Sequence, residues 1–306
     1  MYARSAQIHP QMPGEYFRQD FLSAPDGTSL YFQLWGEGEP AIVLCDGLGC
    51  DGFAWKYLLP DLRTSHRVLR WHYRGHGQSG VPNDSRRIGM HYNCEDLAQL
   101  MDAAGLEQAV IFGHSMGVQV ALEFHRRHPR RVLALVLICG SYGNPLDTVH
   151  DAPMLKSTFP LVRGLVERFP EVASRVIGLA LKTELAMQLV ISIELNREML
   201  HRTDIVPYFD HLARMDPRVF VRTLESLAEH SAWEHLSRVD VPTLVIGGET
   251  DRFTPSWLSL RMAQSVPGAQ FMMVPQGSHT ATLEEPELIW RNVERFLRER
   301  LTPTVK

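Results

Sequence analysis

The chain has 306 residues, 44% of them hydrophobic and 22% charged, an ordinary makeup for a globular protein able to bury a large core. A formal net charge of -4 and a pI near 6.4, with arginines scattered along the chain, argue against a nucleic-acid partner. Four cysteines (Cys45, Cys50, Cys94, Cys139) show no CxxC pair and no metal-ligand spacing, which favours a reduced, cytoplasmic setting over a disulfide framework.

Residues up to about Tyr16 read as a polar arm carrying Pro10 and Pro13, without an apolar signal core. Tyr31–Trp35 reads as an early strand, entered through the turn Pro25-Asp26-Gly27. Ala41–Cys45 is a continuous apolar run, as a buried parallel strand should be. Asp46-Gly47-Leu48-Gly49-Cys50-Asp51-Gly52 follows it. A glycine-rich loop after a strand can cradle phosphate, but no G-x-G-x-x-G and no P-loop lysine is present. Val68–His72 is the next strand, followed by Tyr73-Arg74-Gly75-His76-Gly77-Gln78-Ser79. Leu97, Leu100, Met101 and Ala104 have helical spacing, with Gly105 as the stop.

The central stretch begins with the apolar strand Ala109–Phe112 and continues through Gly113-His114-Ser115-Met116-Gly117 into a helix. Arg126, Arg127 and His128 suit that helix's C-terminus, and Pro129 stops it. A serine with a glycine two residues to either side, between strand and helix, belongs on a sharp turn that pushes its hydroxyl out of the sheet. Ser115 is therefore a candidate nucleophile. Val132–Ile138 is a further buried strand. From Asn144 to Trp233 helical runs, broken by Pro160, Pro170, Pro207 and Pro217, replace the alternation. The most apolar helix there, around Leu185–Leu195, is interrupted by Gln188 and Glu194 and falls short of the ~20 apolar residues of a membrane span.

Strands then resume at Thr243–Gly248, leading into Glu249-Thr250-Asp251, and at Phe271–Val274, leading into Gln276-Gly277-Ser278-His279-Thr280. An amphipathic helix from Glu287 to about Arg300 ends the pattern. Repeated strand–helix alternation implies an α/β fold with a doubly wound, mostly parallel sheet. Ligands in such sheets sit beyond the carboxyl ends of the strands, so Leu48, Ser115, Ser141 and Tyr142 should gather at one rim. A serine at neutral pH needs a base, and the base needs a carboxylate. Of fourteen histidines, His279 stands after the last strand at that rim, and Asp251 stands after the strand before it, with Glu249 as a rival acid.

These three motifs, in the order Ser, Asp, His, resemble the α/β-hydrolase superfamily in its serine-nucleophile, esterase-like branch. The resemblance covers nearly the whole chain outside the middle insert. It implies an α/β-hydrolase core in two parts, 1–143 and 234–306, with an inserted α-helical cap at 144–233. It implies Ser115, Asp251 and His279 as catalytic triad, and the backbone amides of Leu48 and Met116 as oxyanion hole. Asp46 departs from the family, where a histidine commonly precedes that glycine. Arg74 to Ser79 is similar to the family's R-G-x-G-x-S turn, which leaves His76 a structural role. Tyr142, Phe159, Phe209 and Trp233, with Leu161 and Met215, are the candidates for lining a substrate pocket.

The expected reaction is acyl transfer from a small-molecule ester to water, with no metal and no organic cofactor. Serine at the elbow argues against the haloalkane dehalogenase and epoxide hydrolase branches. The same triad serves lactonases, C–C bond hydrolases, acyltransferases and cofactor-free haloperoxidases, and a hydrolase-like chain can also act as a small-molecule receptor. Oligomeric state is left open.

Overall fold

The computed structural model describes residues 17–144, 152–181, 183 and 202–301. Among them, eight strands form one sheet: β1 (Phe17–Ser23), β2 (Ser29–Trp35), β3 (Ile42–Cys45), β4 (Val68–Trp71), β5 (Ala109–His114), β6 (Val132–Ile138), β7 (Thr243–Gly248) and β8 (Gln270–Val274). Their spatial order is β1-β2-β4-β3-β5-β6-β7-β8. The β1–β2 and β2–β4 pairings are antiparallel, and every later pairing is parallel.

The helices are α1 (Leu59–Ser65), α2 (Met90–Ala103), α3 (Met116–Arg127), α4 (Ala152–Arg168), α5 (Pro170–Leu181), α6 (Arg202–Leu212), α7 (Pro217–Glu229), α8 (Trp233–Leu236), α9 (Ser256–Ser265), α10 (Ala281–Glu284) and α11 (Pro286–Leu301). Because strand side chains alternate, each central strand feeds two apolar layers. Val43, Ile111, Leu135 and Val245 meet α2, α3 and α9 on one face. Ile42, Val110, Val136 and Leu244 meet α1 and α11 on the other. Coverage on both faces is what the unbroken apolar strands require.

Strand β1 goes beyond the sequence expectation. Its sequence, Phe-Arg-Gln-Asp-Phe-Leu-Ser, is polar and partly exposed, because it forms the outer edge of the sheet. Charges such as the paired Arg18 and Asp20 (2.9 Å) blunt that edge against a further strand.

Helices α4 to α7 stand between β6 and β7, and no strand occurs there among the described residues. Pro170 and Pro217 begin α5 and α7, where a missing N–H is harmless. The breaks expected at Pro160 and Pro207 do not occur, since both prolines lie inside helices, α4 and α6. Pro207 sits between buried Ile205 and Phe209, whose packing holds α6 together across the lost bond. Helix α6 is tied to the core by Asp204, which accepts from Lys56 Nζ (2.6 Å) and from the Tyr57 hydroxyl (2.9 Å). The arm through Tyr16 and the apolar stretch Leu185–Leu195 lie outside the described residues. Among those described, no helix is long and apolar enough to cross a membrane.

Candidate active site

Strand β5 delivers the chain to Ser115, whose φ of 55° and ψ of -116° lie outside the regions an L-residue favours. Such a conformation costs about 1–3 kcal/mol and persists only where its surroundings enforce it. The enforcement is visible. Ser115 N–H donates to the Ile138 carbonyl (3.1 Å), and α3 starts at the next residue. A Cβ at Gly113 would stand 2.3 Å from the Gly117 carbonyl oxygen, and one at Gly117 would stand 2.0 Å from that of Cys45. Neither position admits a side chain. The turn leaves Ser115 half-buried at the carboxyl rim of the sheet.

Three loops meet there. His279 Nε2 is 2.9 Å from Ser115 Oγ, and His279 Nδ1 is 3.0 Å from Asp251 Oδ2. With a carboxylate on one side and a hydroxyl on the other, the ring is satisfied as the Nδ1–H tautomer, leaving Nε2 free to accept the serine proton. The Asp251 side chain is fully buried. Its Oδ1 accepts from the Phe253 and Thr254 amides (both 2.9 Å), and its Oδ2 accepts from the Thr254 hydroxyl (2.8 Å). Glu249, the rival acid, is exposed and accepts from the Gln276 amide (2.8 Å), away from the imidazole.

Residues that sequence reasoning passed over support this arrangement. His114 is buried, and its Nε2 lies 2.9 Å from the His279 carbonyl, to which it donates. Burial, then the neighbouring His279, pushes the His114 pKa down to about 4, so it stays a neutral donor. Glu284, at the end of α10, accepts from the Ser278 amide (2.7 Å) and the Thr280 hydroxyl (2.9 Å), and also from the Ser278 hydroxyl. It thereby grips both neighbours of His279. The adjacency of His114 to Ser115 was a usable signal; Glu284 gave none, since only the fold brings it back to the loop.

Leu48 and Met116 both line a cavity of about 420 Å³ that also contains Ser115 and His279. Asp46 does not line it. The Asp46 side chain is buried beneath the loop, and its carbonyl accepts from the Tyr73 hydroxyl (3.0 Å). Burial pushes the Asp46 pKa up to about 7, against the opposing pull of Arg70 and the Trp55 N–H.

Of the four pocket candidates, only Phe209 lines the cavity. Tyr142 and Trp233 stack on each other outside it (5.1 Å between centroids), with Arg261 over the indole and Trp233 41% exposed. Phe159 is half-buried on α4 and lies outside the lining, as do Leu161, 66% exposed, and Met215. The wall is built instead by Ile205, Tyr208, Phe209 and Leu212 of α6 and by Phe220, Leu224 and Leu227 of α7. Both sets repeat at helical spacing, a pattern that sequence alone could have picked out as one face of each helix. His76 is fully buried and donates from Nδ1 to the Arg74 carbonyl (3.0 Å), remote from the serine's contacts.

The chain matches the family model described as alpha/beta hydrolase fold over residues 40–286. It is 28% identical over 264 residues to "Putative carbamate hydrolase RutD" of Azorhizobium caulinodans, covering 85% of this chain and 92% of that one. It is 30% identical over 293 residues to 2-hydroxymuconate semialdehyde hydrolase of Pseudomonas putida, covering 95% and 97%. Among solved structures, a thermophilic esterase from Thermogutta terrifontis superposes with a TM-score of 0.75 at 23% identity, covering 93% of this chain and all of that one. The last likeness speaks to the fold alone. The family match spans most of the chain, from the residue before Ala41 to the start of α11, and the protein belongs to the alpha/beta hydrolase fold family as a hydrolase enzyme.

Proposed function

We propose that the protein hydrolyses uncharged carboxylic esters through an acyl-enzyme, with Ser115 as nucleophile, His279 as base and Asp251 as the acid that fixes the imidazole. Ser115 Oγ attacks the ester carbonyl carbon as its proton passes to His279 Nε2. The carbonyl π electrons move onto oxygen, where the Leu48 and Met116 amides receive the charge. Collapse of the tetrahedral species expels the alcohol, which takes the proton from His279. Water then repeats the cycle on the acyl-enzyme and releases the acid.

The observation that carries this reading is the contact chain from Asp251 through His279 to Ser115, at 3.0 and 2.9 Å, opening onto an apolar cavity. Among the described residues, no Asp, Glu, Lys or Arg lines that cavity. A charged acyl group would leave water there without a counter-ion, which is costly. Helices α4 to α7, within 144–233, serve as a cap over a core formed by 1–143 and 234–306. Four buried, unbridged cysteines favour a reducing, cytoplasmic compartment.

The test is a panel of p-nitrophenyl esters from acetate to laurate, with a hemisuccinate ester and a simple lactone as further arms. Turnover should pass through an optimum along the neutral series and be weakest on the hemisuccinate. Ser115→Ala should lose on the order of 10⁴ to 10⁶ in kcat with an unchanged melting profile. A purified Ser115→Ala enzyme that keeps most of its activity would overturn the assignment.

A further inference from the structure

The loop that carries Leu48 is held from outside by two imidazoles. His72, just after β4, lies with Nε2 3.1 Å from the Asp51 carbonyl, and its Nδ1 accepts from the Gln78 amide (3.0 Å). His211, on α6, repeats the pattern more tightly. Its Nδ1 lies 2.7 Å from the Gly49 carbonyl, and its Nε2 accepts from the Gly77 amide (2.7 Å). A backbone amide can only donate and a carbonyl can only accept, so each ring must be neutral with its hydrogen facing the carbonyl. Both rings therefore bridge the Asp46–Gly52 loop to the Gly75–Ser79 turn. They differ in origin: His72 belongs to the core, and His211 comes from the helices inserted between β6 and β7.

His211 is 5% exposed. The same helix presses on the loop directly, since a Cβ at Gly49 would stand 2.5 Å from Leu212 Cδ2 and 3.5 Å from Tyr208 Cε2. Tyr208, Phe209 and Leu212 also line the cavity. One turn of α6 thus touches the space for substrate and the residue after Leu48 together.

We propose that His211 is a positioning residue for the oxyanion hole, latching the Leu48 amide in place from the inserted helix; this rests on the reading of the site as an ester hydrolase. An amide donor aimed at the developing oxyanion contributes on the order of 10² to 10³ in kcat. Misplacing it should forfeit part of that while leaving ground-state binding nearly intact.

The experiment compares His211→Phe, which keeps a ring and loses both hydrogen bonds, with His211→Gln, whose amide offers one donor and one acceptor. On p-nitrophenyl acetate, His211→Phe should lower kcat by roughly 10- to 100-fold, with KM within about 3-fold of wild type. Deuterium exchange in the peptide containing Gly47 to Gly52 should rise in the same variant. His211→Gln should restore kcat to within about 3-fold and restore the exchange. If His211→Phe does not fold, His211→Asn, too short to reach both partners, takes its place with the same expectation.

Unchanged kcat in the variant lacking both bonds, or a Gln variant as slow as the Phe one, would overturn the latch. If wild type turns over no ester, the rate of Ser115 phosphonylation by a p-nitrophenyl phosphonate, read by intact mass, replaces kcat, since it also charges an oxygen in that hole. Labelling that persists and drops in His211→Phe then keeps the latch while the ester reading falls. A wild type that neither turns over nor labels sinks both.

Discussion

The two sides of the site are built in different ways. On the side of Ser115, His279 and Asp251, the buried carboxylate is fully partnered: Asp251 gathers four donors, three from Phe253 and Thr254 of its own loop and one from His279, and both neighbours of His279 are gripped by Glu284. On the side of the Leu48 loop, polar groups are buried without such closure. Neither carboxylate oxygen of Asp46 has a close hydrogen bond among the described residues, nor do Trp55 Nε1 and Arg70 Nε; the Trp55 N–H and Arg70 favour the Asp46 anion only from a greater distance. That side is held by packing and by imidazoles, one of them from an inserted helix. Both sides draw on residues more than a hundred positions away, His279 reaching Ser115 on one and His211 reaching Gly49 on the other; they differ in how fully the buried carboxylate is partnered.

The largest effect that tests this contrast lies on the satisfied side. Asp251→Asn keeps the shape, but its amide can favour the wrong tautomer of His279. The loss should approach ~10⁴ in kcat. Glu249→Gln alters only an exposed acceptor of the Gln276 amide and should change kcat by less than about 2-fold. Both are measured side by side on one short-chain ester with a melting control. The reverse ranking would move the orienting acid to Glu249.

What was legible in the sequence follows the same division. The parallel strands were readable because burial on both faces demands unbroken apolar runs, as in Val132–Ile138. That Ser115, Asp251 and His279 meet at one rim was readable because each follows a strand within a few residues, where spacing carries information. Strand β1 was not, because an edge strand needs no apolar face. Tyr142 and Trp233 were misplaced as pocket residues because aromatic identity does not say which way a side chain turns. His211 was invisible as a partner of Gly49, since no local pattern links positions 162 residues apart. Pro207 misled because packing of Ile205 and Phe209 outweighed a helix-breaking propensity; Pro160 also lies inside its helix, with no such packing around it among the described residues to explain why.

A smaller effect is expected on the unsatisfied side, and it concerns stability. Burial raises the Asp46 pKa from 3.8 to about 7, so the folded state holds this proton more tightly than the unfolded state does. Between those two values the unfolded chain binds fewer protons, and stability must fall as pH rises from about 4 to about 7. Linkage puts the full penalty on the order of 4 kcal/mol. Asp46→Asn removes the ionisation, and since the raised value already contains the pull of Arg70, the variant should be more stable than wild type by up to about 4 kcal/mol at pH 8 and nearly equal to it at pH 4. Denaturant melts of both proteins at the two pH values check this. A variant less stable than wild type at pH 8 would mean that Arg70 more than repays the buried charge.

The smallest effect separates the wall of the cavity from its outside. Phe209 is 3% exposed and lines the cavity from α6, whereas Trp233 stacks on Tyr142 beyond the lining. Phe209→Leu keeps an apolar side chain but removes ring volume, giving a longer acyl or alcohol group room to enter. A methylene in a hydrophobic pocket changes kcat/KM by about 1–3 kcal/mol, so the ratio of long-chain to short-chain turnover should rise roughly 10-fold. Trp233→Leu removes a larger ring yet opens no space near Ser115, and that ratio should stay within about 2-fold of wild type. The contrast matters more than either value, because both variants lose an aromatic ring and only one loses it from the wall. A shifted preference in Trp233→Leu with none in Phe209→Leu would place substrate on the Tyr142 side of the helices, away from the α6 face that also holds the loop of Leu48 and Gly49.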